Sequence, residues 1–152
     1  MTDQKVRRAT IEDLAALGSL WQTERLNAAE LEKRFKDFQV VEDGSGNVIA
    51  ALGIQVAGQQ GHAYAEAFSQ PEQADILRAV LWERVETIAK NFGLTRIWTQ
   101  LSSPFWQTIG FDPVSAEVLP KLPPDFAGAE DPWYSIQLKE EDPAMAGDIS
   151  VD

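Results

Sequence analysis

Cysteine is absent from the chain and histidine occurs once, at His62. Without thiols there is neither a disulfide nor a thiol nucleophile, and one imidazole excludes a histidine-rich metal cluster, so no metal site is expected. No apolar run approaches the roughly 18 to 20 residues that cross a bilayer. The opening MTDQKVRRAT has basic residues with no apolar stretch behind them, which argues against a leader segment. A cytoplasmic protein without a membrane partner is the expectation. Positive charge is also scarce: 13 Lys and Arg face 24 Asp and Glu, a formal charge of -11. Nucleic acid is thereby an unfavourable partner, because neutralisation of phosphates by Lys and Arg dominates such binding. The acidic excess is uneven. Residues 1 to 37 balance seven bases against seven acids, whereas residues 112 to 152 hold ten acids against Lys121 and Lys139. Such a surface suits a cationic acceptor such as an amine, and its simpler use is solubility.

What is present reads as one domain of 152 residues, a length at which a single core is usual. Lys5 to Ala9 is a short strand. Thr10 and Asp13 form a capping-box-like helix start, and Ile11, Leu14, Leu17 and Trp21 follow at helical spacing as a buried stripe. Asn27 and Glu30 repeat the start signal for a second helix that carries Leu31. Phe38 to Glu42 and Val48 to Val56 flank Asp43-Gly44-Ser45-Gly46-Asn47, a hairpin signal because Gly and Asn tolerate positive φ. After a turn at Gly58 to Gly61, Ala63, Ala65 and Ala67 alternate with Tyr64, Glu66 and Phe68, which predicts a strand with one small and one bulky face. Ile76, Leu77, Val80, Leu81, Val85, Ile88 and Phe92 then recur every three or four residues, predicting a helix over 73–92 that stops at Gly93. Leu94 to Leu101 is a strand, Ser103-Pro104 opens a short helix, Phe111 starts another strand and Trp133 to Leu138 alternates as the last. Trp82 and Trp98 fall within regular elements as packing residues. Residues 140 to 152 are polar and acidic and are expected to be a disordered tail beyond a domain spanning 1 to 139. This order predicts a mixed α/β sheet with helices on both faces.

The order of elements, the opening VRRATIEDLAAL, the turn Gln70-Pro71-Glu72 and the stretch Phe105-Trp106-Gln107-Thr108-Ile109-Gly110-Phe111 together resemble the GNAT acetyltransferase superfamily. The last stretch is similar to that family's F-Y-x-x-x-G-F segment with one change. The likeness spans about residues 5 to 138. It implies an acyl-CoA N-acyltransferase-like fold and acetyl-CoA as cofactor, held at the turn into the long helix by Phe68, Ser69, Gln73, Ala74, Asp75, Ile76, Leu77 and Arg78. It also implies Glu66 as a general base for an acceptor amine, with Tyr64 and His62 nearby, and a homodimer to which Trp133 contributes.

Two positions depart from the family pattern. Where the family has R-G-x-G-x-G or a close relative, this chain reads Pro71-Glu72-Gln73-Ala74-Asp75-Ile76-Leu77, and no glycine occurs between Gly61 and Gly93. Asp75 and Gln73 are expected to cap the helix with their own side chains, Asp75 repels phosphate, and Leu77 adds bulk where bare backbone would touch a diphosphate. A shifted alignment makes Arg78 a phosphate partner instead. Trp106 replaces the tyrosine that protonates the leaving thiolate in many members, and an indole N–H does not surrender its proton near neutral pH. Two readings stay open: a GNAT-fold binding or regulatory module with weakened or lost acetyl-CoA binding, or an active N-acetyltransferase acting on a small amine by direct attack.

Overall fold

A computed structural model of the chain describes residues 4–20, 33–126 and 132–138. Trp21, the expected helix around Asn27 to Leu31 and the acidic tail lie outside the described residues. The elements run β1 (Lys5–Arg8), α1 (Leu14–Leu20), β2 (Phe38–Glu42), β3 (Val48–Ala57), β4 (Gln60–Phe68), α2 (Ala74–Phe92), β5 (Arg96–Thr99), α3 (Pro104–Thr108), β6 (Asp112–Pro113) and β7 (Tyr134–Gln137). The strands form one sheet in the order β1-β2-β3-β4-β5-β7-β6. Neighbours are antiparallel except β4 and β5, which run parallel through Gln60 to Ala63 and Arg96 to Thr99. The mixed α/β architecture expected from the sequence is the one observed.

Each face of the sheet has its own core. On one, Leu77, Leu81, Trp82, Val85 and Ala89 of α2 pack on Val41, Leu52, Ile54, Ile97 and Trp106. On the other, Leu17 of α1 meets Phe38, Val40, Ala51 and Ala67. The long helix ends as its sequence requires, with Gly93 at φ 68° and its N–H bonded to carbonyls of the last turn, a left-handed stop that glycine adopts without penalty. In the turn after β2, Asp43 Oδ1 accepts from the N–H groups of Ser45 and Asn47 at 2.9 and 3.0 Å. Before α1, Asp13 accepts from the Thr10 N–H at 2.7 Å. Arg7 grips Asp13 with two nitrogens at 2.8 and 3.0 Å and Glu42 with its Nε at 3.0 Å. One guanidinium thus ties β1, the entry to α1 and β2 together, and it holds the Asp13 carboxyl below the usual carboxylate range.

Ile11 does not join the buried stripe. It is 62 % exposed because Ile11–Asp13 forms a separate 3₁₀ turn before α1, whose tighter three-residue period rotates Ile11 off the helix face.

The predicted alternation of β4 also fails, for a reason that shapes everything nearby. Pairing with β3 shifts between Ala51 and Gly53, with Ala51 opposite Ala67 and Gly53 opposite Tyr64. Leu52 therefore faces two residues, Ala65 and Glu66, and Ala65 adopts φ 57°. This is a β-bulge, and the extra residue exchanges the faces beyond it. Ala63 packs with α2 but Ala67 with α1, while Tyr64 lies on the α1 side and Phe68 on the α2 side. The three alanines do not share a face.

Gly53 is required where it stands. A Cβ there would sit 2.8 Å from the Phe38 ring and 2.9 Å from the Tyr64 ring, and Phe38 is fully buried. Gly53→Ala is expected to destabilise by about 1 to 3 kcal/mol in urea titration, the range of overpacked cores. At Gly18 in α1 an added Cβ would meet nothing within 4 Å, so Gly18→Ala is expected to be neutral or stabilising by up to about 1 kcal/mol.

Candidate functional site

Beyond Ala63 and Thr99 the parallel strands β4 and β5 no longer pair. Thr99 Oγ1 closes the fork by donating to the Ala63 carbonyl at 2.7 Å and accepting from the Leu101 N–H at 3.1 Å. The start of α2 and the whole of α3 border this fork. The bulge turns Glu66 toward them. Glu66 Oε1 accepts from Arg78 Nε at 2.9 Å and from Trp106 Nε1 at 3.1 Å, and Oε2 accepts from Arg78 Nη2 at 2.9 Å. Arg78 also donates to Asp75 Oδ1 at 2.6 Å through Nη1, and its guanidinium lies 4.8 Å from the centre of the Phe68 ring. The two carboxylates hold the Arg78 guanidinium above its ordinary pKa.

The other residues expected at this turn divide three ways. Ser69 is exposed, but its N–H bonds to the Ile49 carbonyl at 2.9 Å. The chain then opens α2 with a 3₁₀ turn, Pro71–Gln73, in which the Gln73 N–H bonds to the Gln70 carbonyl at 2.9 Å and the Ala74 N–H to the Pro71 carbonyl. Among the described residues no side chain caps α2. Asp75 and Gln73 therefore do not act as caps: Asp75 turns to Arg78 three residues on and stays 73 % exposed on its side chain. Ile76 points to solvent, whereas Leu77 has 0 % exposure and belongs to the core under α2. Its expected bulk against phosphates lies inside the protein instead, since it falls on the apolar stripe of the helix.

Trp106 is held in the same way. Ser103 caps α3 through its side chain and Pro104 takes the first helical position, as their order in sequence suggests. The buried Trp106 ring then packs edge-on against Phe105, Phe111 and Trp82, with centroids 5.1, 5.9 and 6.2 Å away. Its one polar atom goes to Glu66. The Glu66–Arg78 pair joins residues 12 apart on a strand and the helix that follows it, and the bulge that brings them to one face leaves no mark in the sequence.

Tyr64 and His62 occupy the opposite face. Tyr64 donates its hydroxyl to Asp37 Oδ2 at 2.6 Å, and with burial the largest cause its pKa is raised. His62 stacks near Tyr64, Phe126 and Trp133, with centroids 5.1 to 5.2 Å away. The long connection after β6 thus folds Phe126 over the histidine, and Trp133 packs here and against Trp98 at 6.4 Å. Burial, helped by the charge of Arg34, pushes the His62 pKa down from 6.5 to about 4.

No protein-family model matches the sequence, and no curated protein is similar to it in sequence. Solved structures are similar in fold. N-acetylglutamate synthase from Neisseria gonorrhoeae, solved with coenzyme A and N-acetyl-glutamate, superposes with a TM-score of 0.76 at 17% identity over 90% of this chain and 35% of that one. A GNAT-family acetyltransferase from Staphylococcus aureus gives 0.73 at 11% identity, over 90% and 99%. The ribosomal-protein-S18-alanine N-acetyltransferase of Escherichia coli gives 0.71 at 11%, over 98% and 99%. The chain spans about a third of the length of the Neisseria synthases. The fold is that of the GNAT acetyltransferases. No helix among the described residues is long and apolar enough to cross a membrane.

Two outcomes follow from this geometry. Glu66→Gln removes the carboxylate charge from a guanidinium whose side chain is 14 % exposed. A loss of about 1 to 3 kcal/mol is expected in chemical denaturation, and at least half should return in the Glu66→Gln/Arg78→Met double variant; additive losses would show that the pair is not coupled. For His62, the unfolded ring takes up a proton near pH 6.5 that the folded ring refuses until about pH 4. Its contribution to stability is therefore complete above pH 6.5 and falls between pH 6.5 and 4, by roughly 3 kcal/mol in all. Melting temperatures measured across that window should fall for the wild type and stay flatter in His62→Phe. The Asp13 contribution lies lower, being lost as pH drops below the ordinary aspartate value of 3.8.

Proposed function

We propose that this GNAT-fold chain has weakened or lost acetyl-CoA binding and serves as a binding or regulatory module. The observation that carries this reading is the pairing at the start of α2. The cation there, Arg78, is shared between Glu66 and Asp75, and Asp75 presents an exposed carboxylate in the first turn. A diphosphate approaching this turn meets a like charge, worth about 1 to 4 kcal/mol of repulsion at 4 Å in surface-like dielectrics. It also meets Gln73 and Ala74 amides already bonded within the chain, and no glycine opens the backbone between Gly61 and Gly93. The groups at this helix start fit one another better than they fit an anion.

The chemistry needed for turnover is compromised in parallel. A general base needs a lone pair facing the proton it takes, and Glu66 already commits three of about four such sites, two to Arg78 and one to Trp106. Trp106 in turn donates the only proton it could offer, one that an indole does not release near neutral pH.

One observation favours the second reading, an active N-acetyltransferase acting on a small amine. Arg78 stands in the first turns of α2, so a guanidinium moving from Glu66 to a phosphate would create an anion partner and free a base in one step. Calorimetric titration with acetyl-CoA and desulfo-CoA, at low and moderate salt, separates the two. Dissociation constants weaker than about 100 μM, roughly -5.5 kcal/mol, are expected; tighter binding overturns the first reading in favour of the second. Asp75→Gly is expected to strengthen whatever binding is seen, and an unchanged affinity would remove the electrostatic argument.

A further inference from the structure

A cavity of about 300 Å³ lies between the second half of α2 and strands β1 to β3, at the far end of α2 from Asp75. Acids outnumber bases 24 to 13 in this chain. Here the balance reverses, because Arg8, Lys36 and Arg84 line the cavity against one carboxylate, Asp37. Asp37 already accepts the Tyr64 hydroxyl at 2.6 Å. Arg84 is fixed in place: its Nε donates to Oε1 of the buried Gln39 at 2.9 Å. Arg8 and Lys36 are exposed and form no ion pair among the described residues. The rest of the wall is apolar. Ile88 and the unusually open Val56 and Phe92, 40 % and 57 % exposed, complete it.

We propose that this cavity binds a small monocarboxylate with a short apolar tail. Arg8 pairs with Gln39 in the β1–β2 ladder, and Gln39 pairs with Leu52 of β3. Arg8 and the Gln39-bound Arg84 therefore stand together where β1 and β2 pair, and Lys36 lines the same cavity from the turn before β2. Val56 lies four residues beyond Leu52 along β3, about 13 Å at strand rise, and Phe92 lies two turns beyond Arg84 along α2. A ligand charged at one end and apolar at the other matches this polarity. A second negative charge does not, because Asp37 and the carbonyl end of α2 oppose it, and the net charge of the chain repels polyanions at long range. The volume, at the lower end of ligand pockets, admits on the order of ten heavy atoms.

The test is amide chemical-shift titration of the full chain with hexanoate, hexan-1-ol and hexylamine at pH 7. Hexanoate should produce saturable shifts centred on Arg8, Lys36 and Phe92, with a dissociation constant of about 1 mM or tighter. The alcohol and the amine should bind at least tenfold more weakly. Arg8→Gln/Lys36→Gln, which alters two exposed side chains, should weaken hexanoate at least tenfold, and Phe92→Ala should weaken it while leaving hexanoate preferred over the alcohol. Equal binding of hexan-1-ol, an unchanged affinity in the double variant, shifts centred elsewhere, or no saturation by about 10 mM would each overturn the inference. The outcome does not depend on whether acetyl-CoA binds.

Discussion

Ala65 holds a φ of 57° in the middle of a strand, a conformation that costs a residue with a Cβ about 1 to 2 kcal/mol. The bulge it creates exchanges the two faces of β4, so that Tyr64 stays with α1 while Glu66 and Phe68 turn to α2. Once there, a carboxylate beneath a helix must be paired or bear the cost of its desolvation. Arg78 supplies two of its hydrogen bonds and the Trp106 indole a third. The strain at one alanine is thus compensated by a network joining β4, α2 and α3, the three elements that border the fork between the parallel strands.

The scarce guanidinium groups are used as cross-links. Arg7 joins β1 to Asp13 and Glu42. Arg78 joins α2 to Glu66 and Asp75, and Arg96 reaches across from β5 to Ser135 Oγ on β7 at 2.9 Å. A planar fork with several donors suits this task better than an ammonium, because it engages two acceptors at fixed geometry. Arg84 is tied to Gln39 in the same way, and with Arg8 and Lys36 it lines one cavity.

The function proposed for this chain departs from the activity named for proteins that share its fold, which is permissible because a fold does not carry its activity with it. The likeness to acetyltransferases rests on the course of the backbone at 11 to 17% identity for the structures compared. At the head of α2, Arg78 is paired with both Glu66 and Asp75. A helix N-terminus attracts anions only while its N–H groups and its field are available. Here a 3₁₀ turn engages two of those groups, and Asp75 adds the opposing charge.

Features whose cause is local were legible in the sequence. The three-to-four-residue recurrence of apolar side chains and the glycine after Phe92 placed α2 nearly to the residue. Asp43 to Asn47 marked the first hairpin, and Ser103-Pro104 marked the start of α3. The order of these elements was enough for the fold. Ile11 was misread because a 3₁₀ turn and an α-helix share the same opening residues. Leu77 was misread because its role depended on which face of α2 meets the sheet. The candidate site lay further from reach: Glu66, Arg78 and Trp106 were each singled out, but nothing in their spacing told that they bond to one another. A run of alternating residues looks the same with or without a bulge, since the slip is imposed by the neighbouring strand, where Leu52 must face two residues between Ala51 and Gly53. Composition and periodicity therefore determined which elements form and in what order, while the sharing of charges at the head of α2 was decided only when β3 fixed the register of β4.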